Sequence, residues 1–155
     1  MIVFLDSGVL GLLSSPYQQG EAKECGEWLY KLLARSVYVV SSDICDYEVR
    51  RGLKLALIDR PVRSGLQQLD ALVNLIDFLP LTRDVMELAA DLWARARSEG
   101  KATANDKNID GDMIIAAHWS ILNDRYPGRE VIVVTTNVKH LGYFTNAYTW
   151  RDINP

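Results

Sequence analysis

Sulfur and imidazole are scarce in this chain. Its two cysteines, Cys25 and Cys45, are too few and too far apart for a CxxC metal motif or a disulfide framework. They read as half-buried thiols in a reducing compartment. The two histidines, His118 and His140, give little scope for imidazole acid–base chemistry. His118 falls inside an apolar helical pattern and reads as structural. No apolar run approaches the roughly 20 residues of a membrane span, and the N-terminus lacks the basic region and cleavage site of a signal peptide. Both point to a cytoplasmic protein with no membrane partner. Basic residues are not in excess, since 17 Lys and Arg stand against 20 Asp and Glu for a formal net charge of -3. That excludes a nonspecific nucleic-acid coat protein but not an enzyme with a local basic rim. No repeat or low-complexity segment is present, and 155 residues suit a single domain spanning 1–155.

What is present begins with Ile2-Val3-Phe4-Leu5. Four consecutive apolar residues read as a short strand buried on both faces, as in a parallel sheet covered by helices. The run stops at Asp6-Ser7-Gly8. Chemistry in such sheets sits beyond the carboxyl ends of the strands, so Asp6 is a candidate site residue. Alternatively, it only caps the following helix.

Further along, Val9 to Leu13 makes a short helical turn ended before Pro16. Cys25, Trp28, Leu29, Leu32 and Leu33 recur at helical spacing within 19–36. Val37 to Val40 is a second buried strand. Ser42 or Asp43 caps a helix that carries Glu48 in an early turn, then Arg50, Arg51 and Lys54. The pattern breaks over 57–64, and Leu66 to Ile76 is helical again. Phe78 to Leu81 is a weak strand that Pro80 assigns to an edge. Thr82 caps a helix ending at Glu99-Gly100. The polar stretch 101–111 reads as a loop, and Asp112 as the N-cap of an apolar helix from Met113 to Leu122. Val131 to Thr135 is the strongest strand, and 139–149 an irregular tail with Tyr148 to Trp150 as a last edge strand. Trp28, Trp93 and Trp119 lie on apolar stripes, which suits core or a dimer interface and not a base-stacking platform. The alternation of strands and helices predicts a three-layer α/β/α fold with a central, mostly parallel sheet.

Asp6 ends a strand, Glu48 lies early in a helix and Asp112 begins another. Strand ends and helix starts share one edge of a parallel sheet, so the three can converge. Two carboxylates about 5 Å apart repel by roughly 3 kcal/mol at an effective dielectric of 20. A dry cluster raises its pKa values instead of staying charged, and a divalent cation removes that penalty. Oxygen-only ligation suits Mg²⁺ or Mn²⁺, which can orient a water, acidify it and stabilise charge on a phosphate.

These residues resemble the PIN-domain family, and within it the VapC-type toxin ribonucleases. The resemblance rests on the strand ending in Asp6-Ser7, on Tyr47-Glu48-Val49-Arg50-Arg51-Gly52, on Asp112-Met113-Ile114-Ile115-Ala116-Ala117 and on Val133-Val134-Thr135-Thr136-Asn137-Val138. In order and spacing they cover essentially the whole chain. The resemblance implies a metal-dependent endoribonuclease leaving a 3′-hydroxyl and a 5′-phosphate. Asp6, Glu48 and Asp112 would be its Mg²⁺ or Mn²⁺ ligands, with Ser7, Thr135 and Asn137 as supporting residues. It further implies a homodimer and a cognate antitoxin. Arg50, Arg51, Lys54 and Lys107, with Lys101, are either RNA-phosphate contacts or solvated surface.

Two departures stand out. Gly8 replaces a frequent Asn. The acid that commonly follows the last strand is missing, the segment reading Asn137-Val138-Lys139-His140. Asp110 either supplies that charge or forms a loop dipeptide with Gly111. The missing acid motivates an alternative, a catalytically weakened PIN domain that binds RNA or a protein. A phosphotransferase of the haloacid-dehalogenase kind expects a second Asp where Gly8 stands, which argues against it.

Overall fold

The computed structural model describes residues 1–100 and 106–155, the side chains of 106–110 excepted. In chain order the described residues form β1 (Ile2–Leu5), α1 (Ser7–Leu13), α2 (Glu21–Ala34), β2 (Tyr38–Ser42), α3 (Asp43–Asp59), α4 (Ser64–Leu72), β3 (Asp77–Leu79), α5 (Arg83–Ser98), α6 (Asp106–Arg125), β4 (Val131–Val134), α7 (Val138–Leu141) and β5 (Ala147–Tyr148). A 3-10 turn at Trp150–Asp152 follows. The strand order is β3-β2-β1-β4-β5. Every pairing is parallel, so the sheet is more uniform than the mostly parallel one expected. Helices α1 to α4 pack on one another and α5 pairs with α6, giving the expected α/β/α layers.

β1 lies at the centre. Phe4 is in register with Val40 of β2 on one side and Val133 of β4 on the other. All eight residues of β1 and β4 are buried, which is why both strands read as unbroken apolar runs. Fully burying one such side chain contributes about 1.5–3 kcal/mol. From β1 the chain moves outward through β2 to β3, then crosses back to lay β4 on the opposite side of β1. That reversal opens a crevice beyond the carboxyl ends of β1 and β4, where ligands of open α/β sheets bind.

Local chemistry sets the helix starts. The Ser42 hydroxyl accepts from the Ile44 N–H (3.1 Å) and the Thr82 hydroxyl from the Val85 N–H (3.4 Å), each satisfying an orphan donor of α3 or α5. α3 runs on to Asp59, past the break expected from residue 57. It stops only where Arg60, ahead of Pro61, turns extended (φ −139°, ψ 114°), as a pre-proline residue prefers. α4 ends at Leu72, short of the expected Ile76, and Val73 and Leu75 are exposed beyond it.

The largest correction concerns α6. It begins at Asp106, so Asp110 and Gly111 are helical instead of looped, and Asp112 is the seventh helical residue, not the N-cap. A polar run rich in Asp, Asn and Gly carries no apolar period by which its helix can be recognised. From Met113 onward the helix is apolar on two sides. Met113, Ile114 and Ala117 pack with Val85 and Ala89 of α5, while Ile115 and Leu122 join the main core.

Two glycines give opposite expectations. A Cβ on Gly65 in α4 would lie 2.9 Å from the Ser14 carbonyl oxygen and 2.7 Å from Leu53 Cδ2. Gly65→Ala should therefore destabilise by about 1–3 kcal/mol. Among the described residues nothing lies within 4 Å of the Cβ position of Gly52 in α3, so Gly52→Ala should stabilise by about 0.5–1 kcal/mol. Urea unfolding of both variants checks the pair, and equal effects of the same sign would contradict the packing described.

Candidate active site

Asp6 stands where β1 gives way to α1, at the floor of the crevice. Its N–H donates to Val134 O (3.0 Å), which extends the β1–β4 ladder by one step. The side chain is 7% exposed. Its Oδ1 accepts from the Ser7 N–H (2.5 Å) and the Ser7 hydroxyl (3.1 Å), so the capping role and the site role coexist. Its Oδ2 accepts from the Thr135 hydroxyl at 2.6 Å, a bond that joins the ends of β1 and β4. Thr135 Oγ1 in turn accepts from the Asn137 N–H (2.9 Å), which leaves its own proton directed at Asp6. A carboxylate has about four acceptor positions. Three are taken by described residues, which leaves one for a ligand.

Glu48 and Asp112 reach Asp6 from two other elements. The Glu48 carboxylate comes against the start of α6, with Oε1 3.0 Å from where a Cβ on Gly111 would be. Gly111 thus makes room for Glu48 beside Asp112. Burial first, then the negative charges of Asp6 and Glu48, push the Asp112 carboxyl up to about 7. The three carboxylates expected to meet are therefore within electrostatic reach of one another. Below them lies Cys45, fully buried and not half-buried as its sequence suggested. Burial and the same two charges raise its thiol well above the usual range, so it is an inert packing group. Periodicity could not place it there.

The remaining candidates divide. Ser7, Thr135 and Asn137 all border the crevice, and Asn137 and Thr136 are exposed. The Thr136 hydroxyl occupies the space that a Cβ on residue 8 would need, with Thr136 Cβ and Cγ2 both 3.2 Å from that point. Gly8 is thus matched to its neighbour across the crevice, and a side chain there would require Thr136 to shift. Arg50 is committed elsewhere. It bonds Asp46 through Nε and Asp70 through Nη1, each at 2.8 Å, tying α3 to α4. Arg51 and Lys54 are exposed on α3. The side chains of Asp110 and Lys107, and Lys101 altogether, lie outside the described residues.

His118 is buried with its ring 5.9 Å from that of Phe4, and burial lowers its pKa to about 4. It is neutral and structural. Trp28 is core, Trp119 donates from Nε1 to Val131 O (2.8 Å), and Trp93 is exposed on α5.

The donor chemistry fits a hard divalent cation: three carboxylates, no imidazole and a thiol held protonated. Among the described residues no three His, Cys, Asp or Glu side chains stand close enough to encircle an ion.

Sheet order and layers give a three-layer α/β/α fold with an acidic crevice at the switch point. No family model and no curated protein matches the sequence. Solved structures match along the whole chain. VapBC2 from Rickettsia felis, bound to a DNA fragment from its promoter, superposes with a TM-score of 0.70 at 17% identity, covering 97% of this chain and 99% of that one. VapBC-1 from nontypeable Haemophilus influenzae gives 0.66 at 17% identity with the same coverages. FitAcB from Neisseria gonorrhoeae gives 0.61 at 20% identity, covering 98% and 100%. These likenesses show the fold, and it is that of the VapC-type PIN domain the sequence resembles. Among the described residues no helix is long and apolar enough to cross a membrane.

The raised Asp112 has a consequence for metal-free protein. Between the unfolded value near 3.8 and the folded value near 7, the folded chain holds a proton that the unfolded chain has lost. Stability therefore falls as pH rises through that interval and levels off above it. Asp112→Asn removes the dependence. In chelator, the variant should gain stability over the parent progressively from about pH 4 to 7, with a constant gain above. Thermal unfolding across pH checks this, and a gain independent of pH would contradict the coupling.

Proposed function

We propose that this chain is a metal-dependent endoribonuclease and the toxin of a type II toxin–antitoxin pair, acting as one domain over 1–155. The observation that carries the reading is the meeting of Asp6, Glu48 and Asp112 at the switch-point crevice, where Asp112 is pushed up to about 7. Such perturbation by burial plus like charges in a cleft marks functional sites. Asp6, Glu48 and Asp112 would hold Mg²⁺ or Mn²⁺. When bound, such an ion neutralises the three charges and supplies Lewis acidity toward a water and a phosphate oxygen.

The chain's own residues do the positioning. Thr135 and Ser7 fix the rotamer of Asp6, leaving one acceptor position aimed into the crevice. Asp112, close to its titration point at neutral pH, would readily release its proton to water when a cation binds. The Asn137 amide can donate to a phosphodiester oxygen. Arg51, Lys54 and Lys107 offer charge to flanking phosphates.

An antitoxin partner is supported by the solved likenesses, which are two-component VapBC and FitAB assemblies, two of them bound to DNA. A homodimer suits the exposed Met86 and Trp93 on α5. We place the protein in the cytoplasm. The alternative, a weakened PIN domain that binds RNA or protein, is favoured by one observation: exposed, uncharged Asn137 stands where an acid is common. Calorimetry with Mn²⁺ separates the two, because a dead site takes up the ion weakly or not at all.

Removing a ligand should cost at least as much as disturbing the group that orients it, which costs about 10- to 100-fold. We expect Asp6→Asn and Asp112→Asn to cut single-stranded RNA at least about 100-fold more slowly with Mn²⁺, with unchanged circular dichroism. Thr135→Val should bind Mn²⁺ about 10- to 100-fold more weakly. Parent-like cleavage by Asp6→Asn would overturn the assignment.

A further inference from the structure

We propose that Tyr47 is a nucleobase-stacking residue beside the acidic crevice, backed by the guanidinium of Arg51, and that it supplies affinity for single-stranded RNA independent of charge. The inference rests on the nuclease reading above and extends it to how substrate is held.

Binding RNA poses an electrostatic problem for this chain. Its net charge is -3, and the crevice gathers three carboxylates. Phosphate neutralisation, which dominates most nucleic-acid affinity, has few groups to work with. Of the adjacent arginines, Arg50 is neutralised by Asp46 and Asp70. Stacking on an aromatic face is the other general source of affinity for single strands, and it tolerates any base.

Tyr47 has the placement this needs. It precedes Glu48, so its Cα lies one peptide step, about 3.8 Å, from that of a proposed ligand. Its neighbour Cys45 is fully buried, yet Tyr47 is 57% exposed. Arg51, one turn further along α3, sets its guanidinium carbon 5.4 Å from the centre of the Tyr47 ring. Arg51 stands at i+3 from Glu48, a spacing that favours an ion pair. Among the described residues it pairs with no carboxylate and lies over the ring instead. No other ring or cation among the described residues covers Tyr47. One face of the ring is therefore backed by positive charge, while Glu48 remains free to serve the crevice.

The test uses the full chain carrying Asp112→Asn, so that RNA is bound without being cut, with a single-stranded oligoadenylate containing one 2-aminopurine. Tyr47→Ala should weaken binding about 5- to 150-fold, the worth of one stacked base, and abolish the quenching of 2-aminopurine. Tyr47→Phe, which keeps the ring, should restore both. The Tyr47→Ala defect should persist as salt rises, whereas Arg51→Ala should lower the slope of log K against log salt by about 1. Unchanged affinity in Tyr47→Ala overturns the proposal, as does failure of the Asp112→Asn chain to bind the oligomer. Loss of capture of a cognate protein partner with RNA affinity intact overturns it too, by assigning the ring to a protein interface. Manganese-dependent cleavage by the unsubstituted chain is scored separately. If cleavage is absent while RNA binding depends on Tyr47, the nuclease reading fails and the stacking residue stands.

Discussion

The repulsion among three carboxylates governs how this molecule is built at its carboxyl edge. Asp6, Glu48 and Asp112 come from sequence positions 6, 48 and 112, and nothing in their local sequence obliges them to meet. The all-parallel sheet brings them together by ending β1 and β4 side by side at a switch point and starting α3 at the same edge. The fold supplies Asp6 with three hydrogen bonds from Ser7 and Thr135, which fix its side chain in one orientation. Burial and the neighbouring charges fall on Asp112, whose carboxyl rises to about 7. The crevice is thus divided between one firmly held carboxylate and one poised to change state.

Small residues and hydroxyls around that division are placed to serve it. Gly111 lets the Glu48 carboxylate approach the α6 backbone, and Gly8 leaves room for Thr136 across the crevice. The Thr135 hydroxyl bridges the two central strands through Asp6, fixed in direction by the Asn137 N–H. Beneath, Ser41 donates from its hydroxyl to the Leu5 carbonyl (2.7 Å) and locks β2 to the last residue of β1. Apart from the Asn137–Thr135 bond, each contact spans segments distant in sequence. The site is a consequence of tertiary packing, and rigidity around Asp6 is what a functional constellation requires of its supporting shell.

Sequence patterns revealed much of this scaffold, and the reasons are specific. Ile2–Leu5 and Val131–Val134 are buried on both faces, so composition alone marks them as strands. Thr82 and Ser42 cap helices through their own side chains. Asp6, Glu48 and Asp112 could be put on one edge because parallel α/β topology allows little else. The start of α6 was hidden because its first two turns are polar and include Gly111, and a helix without an apolar face gives no periodic signal. The length of α3 was hidden for a related reason. Leu55 and Ile58 are exposed, so the end of the helix carries no apolar stripe facing the core by which its length could be read. Cys45 below the site, Thr136 against Gly8 and Arg51 over Tyr47 depend on rotamers and close approaches that no spacing rule encodes.

The account stands on the claim that one doubly charged ion makes these three acids tolerable together. Crystals of the protein grown with Mn²⁺ and measured at the manganese edge test that most directly. The account predicts an anomalous peak bounded by Asp6, Glu48 and Asp112, with carboxylate oxygens at about 2.0–2.3 Å. A clean map with no peak between them, or manganese bound only elsewhere on the surface, would contradict it.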